Sequence, residues 1–282
     1  MILVAGGTGR LGTRVVARLA AAGAEVRVLT RDPARARHLG ESATEIVVGD
    51  VRDRATTDAA MHGIQTVVSA VQGFAGPGRV TPASVDRDGN ANLIDTAAAA
   101  GADMVLLSVV GAAADHPMEL FRAKYAAEEH LRAGGARWTI VRASAFVELW
   151  ADIMTKPIVF GRGNNPINFV SVEDVAAVVE RAVTDVGLRG AVLEVGGPEN
   201  LTFNELVARL QSVRGRSAKV HHVPRALLRA IGTFNRQPRA ALVMDTIDMT
   251  FDALPARHAF ADLPMTDIRT ALEKANEAQH HA

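Results

Sequence analysis

Cysteine is absent from this chain, which excludes disulfides, thiolate nucleophiles and cysteine-held metal sites. Tyrosine is almost as scarce: Tyr125 is the only one in 282 residues, and aromatic residues together make up 4%. Neither sign of charge is in excess, because 31 Lys and Arg face 31 Asp and Glu. A nucleic-acid footprint needs a clustered basic excess, so no nucleic-acid partner is expected. Long hydrophobic runs are missing as well. No uncharged apolar stretch approaches the about 20 residues needed to cross a bilayer, and no membrane partner is expected. The first apolar run starts at residue 2, leaving no room for a leader peptide ahead of it. The expected location is the cytoplasm.

What is present is a large apolar fraction, 48% of residues, and a length that suits one large α/β domain or a nucleotide domain with a smaller cap. The run Gly6-Gly7-Thr8-Gly9-Arg10-Leu11-Gly12 follows the apolar segment Ile2–Ala5 and opens into Thr13–Ala20, where apolar residues recur at helical spacing. Strand, glycine turn and helix in that order form a dinucleotide-binding opening. One glycine permits the tight turn, one lets backbone approach a pyrophosphate, and one lets helix and strand pack closely. The pyrophosphate then rests on the unpaired N–H groups of the helix N-terminus.

Strand-like runs near 2–5, 25–29, 45–48, 66–70, 103–108, 138–142 and 192–195 alternate with alanine-rich amphipathic segments. The pattern predicts a Rossmann-type α/β fold, a doubly wound parallel sheet with helices on both faces. Gly23, Gly101 and the pair Gly134-Gly135 stand where left-handed glycines would stop three of these helices. Between Gln72 and Val85 lies a loop rich in glycine and proline, either a surface connection or a lid carrying Phe74 toward the cofactor. The expected division is a dinucleotide-binding domain over 1–156 and a mixed region over 157–282. Rossmann elements would return at about 167–198, with a small substrate-facing cap built from stretches near 146–170 and 214–265. Gln279–Ala282 reads as a frayed tail.

With these segments placed, the chain resembles the atypical short-chain dehydrogenase/reductases, especially the NmrA-like and quinone-oxidoreductase-like group. The likeness is carried by the glycine loop, Leu29–Pro33, Val48–Val51, Leu107–Ala112, Lys124 with Glu128, Trp138–Arg142, Phe169–Ala176 and Glu194–Pro198. It implies a cofactor surface of Gly6, Thr8, Gly9, Arg10, Leu11, Gly12, Arg31, Asp50, Val51, Ala70, Lys124 and Phe146. It also implies Lys124 at the nicotinamide ribose and Ser108 as an oxyanion donor. Thr30 and Arg31 stand where an acid would hold the ribose hydroxyls of NAD, nineteen positions past Gly12 at Arg31. A guanidinium there suits a 2′-phosphate, so NADP(H) is the expected cofactor, with NAD(H) as the alternative. Asp50 and Val51 would serve the adenine, although Asp50 also fits an ordinary turn.

The family's catalytic tyrosine lies four residues before the lysine, a spacing that puts both on one helix face. Here that position is Leu120, and Tyr125 points about 100° away from Lys124. Asp86 stands where an extended family member carries Asn. A solvated Lys124 paired with Glu128 at i+4 is the plain alternative for the lysine. His116 reads as structural rather than as a proton donor. Phe74, Met118, Phe121, Phe146, Trp150 and Met154 are pocket or core residues, and His221-His222 alternate faces on a short strand, which disfavours a shared metal. The resulting expectation is NADPH-dependent hydride transfer to a small apolar carbonyl, enone or quinone that needs little acid help. The alternative is a non-catalytic NADP-sensing regulator. Epimerisation depends on the missing tyrosine. A small-molecule substrate is expected, acting on a monomer or homodimer.

Overall fold

The computed structural model describes residues 1–74, 80–232, 236–255, 260–263 and 265–280. Seven strands form the central sheet: β1 (Ile2–Ala5), β2 (Val26–Thr30), β3 (Glu45–Val48), β4 (Thr66–Ser69), β5 (Asp103–Val109), β6 (Trp138–Ala143) and β10 (Val192–Val195). Their order is β10-β6-β5-β4-β1-β2-β3, and every neighbouring pair from β3 to β6 is parallel. Strands covered on both faces read as continuous apolar runs, and Leu3, Val4, Val28, Val67, Met104, Leu106 and Ile140 are all fully buried. Strand order reverses between β1 and β4, the point where such sheets bind ligands beyond their carboxyl ends.

Helices α1 (Arg10–Ala21), α2 (Arg54–Ala60), α3 (Asp88–Ala99) and α4 (Glu119–Ala133) connect these strands. Gly23 and Gly101 adopt the left-handed conformation expected after α1 and α3, with φ of 82° and 68°. The end of α4 differs. Gly134 is extended at φ −80° and ψ 175°, and its N–H closes the helix on the Leu131 carbonyl. The expected loop from Gln72 to Val85 also differs at its far end. There Pro82–Arg87 forms a single π-helical turn, capped by reciprocal bonds between Thr81 and Ser84, and it runs straight into α3. Phe74 is half-buried; residues 75–79 of that loop lie outside the described residues.

Two compact units divide the chain. The first comprises Met1–Ala143 and Val175–Glu194, and the second comprises Ser144–Asp174 and Val195–Ala282. The sequence boundary at 156/157 thus falls within the second unit's first segment, and only 175–194 return to the sheet unit. The second unit holds β7 (Ala145–Phe146), β9 (Ile167–Val170) and β11 (Glu199–Leu201) in one sheet, with β8 (Ile158–Phe160) and β12 (His221–Val223) in another. Around them lie α5 (Val147–Ile153), α7 (Phe203–Val213), α8 (Arg225–Gly232), α9 (Arg236–Met244) and α10 (Ile268–His280), while α6 (Val172–Thr184) leads from this unit back to the first. Trp150, Phe169 and Phe203 form its aromatic core, with ring centroids 4.6 and 6.0 Å apart. Among the described residues, no helix is long and apolar enough to cross a membrane.

Candidate active site

The turn after β1 is shaped by two glycines that the protein itself requires. Gly6 has φ +83°, and a Cβ there would lie 2.7 Å from the Ala70 carbonyl oxygen; on Gly12 it would lie 2.1 Å from the Gly6 oxygen. Ala70 is fixed in turn by its N–H bond to Ala5 at 2.9 Å. Gly7, which sequence reasoning left without a role, packs under Val28, where a Cβ would meet Cγ1 at 2.9 Å. Gly9 is different. It is the N-cap of α1, offers no side-chain cap, and a Cβ there would meet only the Gly6 oxygen, at 3.2 Å. The first N–H bond back into the helix is that of Thr13 to Gly9. The amides of Arg10, Leu11 and Gly12 therefore precede the helical ladder, at the positive end of the dipole. This cradle fits a pyrophosphate.

Beyond β2, Arg31 is exposed and has no hydrogen bond or ion pair among the described residues. Thr8 and Thr30 bring the glycine loop and the end of β2 together, their hydroxyls 3.5 Å apart. Asp50 has a partner the sequence did not announce: Arg52 donates to it from Nε at 3.0 and 3.1 Å, from Nη2 at 2.7 Å and from its backbone N–H at 2.9 Å. The Arg52 hydrogen bonds hold its carboxyl below the usual range, and Arg31 adds a smaller pull. Asp50 is thus a turn residue as well as a candidate adenine contact. Val51 is buried over Gly89 of α3.

Lys124 is neither solvated nor paired with Glu128. It is 3% exposed, and its Nζ donates to the carbonyls of Val71 and Leu107 at 3.0 Å each while lying 3.0 Å from Asp86 Oδ1. Of the three ammonium protons, two are donated to these carbonyls, while Asp86 Oδ1 stands at ion-pair distance and has no hydrogen-bond partner among the described residues. Asp86 is itself fully buried and accepts the Gly73 N–H on Oδ2 at 2.7 Å. Burial pushes its carboxyl up from the ordinary value, against the opposing pull of Lys124 and Gly73. The direct ribose contact implied by resemblance would have to come from a buried ammonium that already donates to two backbone carbonyls. The Asp86 position was a visible departure in the sequence; its partner was not.

Ser108 also has a different task from the expected one. Its hydroxyl is committed to Glu128, donating to Oε1 at 2.5 Å, so it cannot simultaneously serve an oxyanion. Glu128 is fully buried and held by Arg142 at 2.9 and 2.7 Å and by Arg132 at 3.0 Å. Burial pushes the Glu128 carboxyl up, but the bonds from Arg142, Ser108 and Arg132 outweigh it and keep it below the ordinary glutamate value. Tyr125 is half-buried with no hydrogen-bond partner among the described residues. His116 stacks on Phe121 at 4.0 Å and accepts the Met118 N–H on Nδ1, and burial lowers its pKa, which suits a structural neutral imidazole. Met118 and Phe121 are buried in the first unit. In the second, Met154 is buried, Trp150 belongs to the aromatic core, and Phe146 is the half-buried N-cap of α5.

A family described as NAD(P)H-binding matches residues 6–186, beginning at the glycine loop. The chain belongs to this NAD(P)H-binding family. A NAD(P)H azoreductase of Xenophilus azovorans is 30% identical over 226 residues, which are 78% of this chain and 76% of the relative. A (4-alkanoyl-5-oxo-2,5-dihydrofuran-3-yl)methyl phosphate reductase of Streptomyces griseus is 34% identical over 222 residues, 77% of this chain and 74% of that one. By class the chain is accordingly an NAD(P)H-dependent oxidoreductase. A solved NADPH-dependent quinone oxidoreductase of Escherichia coli, in complex with NADPH, shares the fold at a TM-score of 0.77 and 21% identity, over 97% of this chain and 99% of that one.

Proposed function

We propose that this protein reduces a small conjugated acceptor, a quinone or an enone, using NADPH and no proton from its own side chains. The cofactor supplies the hydride when bound. The chain's residues bind and orient it. Helix α1 presents the amides of Arg10, Leu11 and Gly12 to the pyrophosphate, Gly9 leaves room for close approach, and Arg31 receives the 2′-phosphate. Asp50 and Val51 flank the adenine. Lys124 supports the site by tying the segment after β4, at Val71, to Leu107 of β5.

The observation that carries the reading is that the expected proton donors are missing or held: Leu120 replaces the family's tyrosine, Ser108 donates to Glu128, and the buried Lys124 ammonium donates to the Val71 and Leu107 carbonyls beside Asp86. An acceptor whose reduced form is a stabilised anion can take its proton from water. A saturated ketone yields an alkoxide and gains from a positioned acid by about 10²–10⁴-fold. Steady-state NADPH oxidation with quinones, enones and saturated ketones tests this. Turnover confined to the conjugated acceptors is expected, and faster turnover of saturated ketones overturns it. NADPH binding with no acceptor reduced favours the sensor instead.

A further inference from the structure

The second unit carries a depression of about 640 Å³ with an arginine built into its wall. Its foundation is Asp245, just after α9, whose side chain is 1% exposed. The turn Gly161-Arg162-Gly163 wraps this carboxylate: the N–H groups of Arg162 and Gly163 donate to it at 3.0 and 2.8 Å. Only glycine fits at position 161, which has φ +85° and would place a Cβ 2.2 Å from Asp245 Oδ2. Burial pushes the Asp245 carboxyl up, but these N–H groups and Arg225 outweigh it and keep it ionised.

Arg225 opens α8 and is locked onto that carboxylate. Nε donates to Asp245 Oδ2 and Nη2 to the Asp245 carbonyl, each at 2.5 Å. The guanidinium is thereby oriented without being used up, since Nη1 has no partner among the described residues. Arg162 is exposed on the same wall, and its side chain likewise has none. His222 completes the group. Its ring lies 2.9 Å through Nε2 from Asn204 Oδ1, and Asn204 is in turn fixed by donating to the Arg162 carbonyl at 2.9 Å and to Asn164 at 2.7 Å. Two guanidiniums, Arg225 and Arg162, stand against the single carboxylate of Asp245, so the wall keeps a positive balance.

We propose that this depression is an anion-recognition subsite that takes a carboxylate or phosphate group of a small ligand between Arg225 and Arg162, with His222 beside them. A planar guanidinium held in one orientation donates parallel charge-assisted bonds to either oxyanion. The proposal rests on the oxidoreductase reading only in calling the ligand a substrate; anion binding itself is measured without turnover.

Calorimetric titration of the full-length protein with phenyl phosphate, benzoate, inorganic phosphate and neutral phenol tests it. The three anions bind and phenol does not, and affinity falls as salt rises. Tighter binding of phenyl phosphate than of inorganic phosphate assigns the site to an organic ligand, whereas equal binding assigns it to phosphate itself. Arg162→Ala weakens the anions by about tenfold or more, the scale of one hydrogen bond to a charged group, and Arg162→Ala/His222→Ala weakens them further. Arg229→Ala, an exposed arginine of α8 outside the depression, leaves them unchanged. Because Arg225→Ala endangers the fold, Arg225→Lys is used there; it keeps the charge, loses the fork and weakens binding. Far-ultraviolet circular dichroism and NADPH affinity stay at the wild-type level throughout. Phenol binding as well as the anions do, or undiminished anion binding in the Arg162→Ala/His222→Ala variant, overturns the proposal.

Discussion

Lys124 and Asp86 are both buried, so each depends on the other. Breaking one side of a buried ion pair leaves an uncompensated charge and typically costs about 3–5 kcal/mol. Lys124→Met is therefore expected to lower the urea midpoint strongly and to cost turnover, because the segment after β4 is no longer tied to β5. Asp86→Asn/Lys124→Met, which removes both charges, recovers most of the stability. Equal losses in the single and double variants would show that the pair is not coupled. The glycines separate in the same way. Gly12→Ala forces a Cβ into the Gly6 carbonyl and should fail to fold, whereas Gly9→Val should fold and lose NADPH, since a Cβ at that position has only the Gly6 oxygen, at 3.2 Å, within 4 Å. Undiminished NADPH binding by a folded Gly9→Val protein would show that the loop does not hold the pyrophosphate. Tyr125→Phe should keep its activity; a folded but inactive variant would make Tyr125 the proton donor.

At the scale of elements, α4 is fastened to β5 and β6 through one buried carboxylate. Glu128 accepts from Ser108 on β5 and from Arg142 on β6. Its pKa is lower folded than unfolded, so the sign is fixed: its contribution is fully present above the unfolded value, near pH 4.3, and is lost as pH falls through the folded value. Acid titration of urea stability should show a loss starting below about pH 5 that Glu128→Gln, already less stable at neutral pH, largely lacks. Identical acid profiles would remove Glu128 from the account. The elements themselves were legible because each is local. The seven strands run as apolar segments, and the glycine loop is contiguous between β1 and α1. The contacts that redirect chemistry were not legible. Lys124 and Glu128 share a helix face and read as a pair, yet each finds a distant partner, Asp86 and Arg142, that only the folded sheet supplies. Asp86 showed as a departure from the family pattern, and the reason for it became visible only with the ammonium beside it.

For the whole molecule, the expected cofactor choice rests on Arg31, the first residue after β2, which has no hydrogen bond or ion pair among the described residues, while the Asp32 carboxylate next to it accepts the Ala34 N–H. NADPH should bind more tightly than NADH, and Arg31→Ala should lose roughly 1.5–3 kcal/mol of NADPH affinity with little change for NADH. Equal affinity for the two cofactors in the wild type would contradict this assignment. Whether hydride leaves the cofactor at all is tested most directly by mixing the NADPH-bound protein anaerobically with a quinone and following the reduced-nicotinamide absorbance. The account predicts that NADPH is consumed in equimolar amount with hydroquinone formed, by wild type and Tyr125→Phe alike. Tight, Gly9-dependent NADPH binding with no loss of absorbance for any quinone or enone would contradict it and leave a protein that only senses the cofactor.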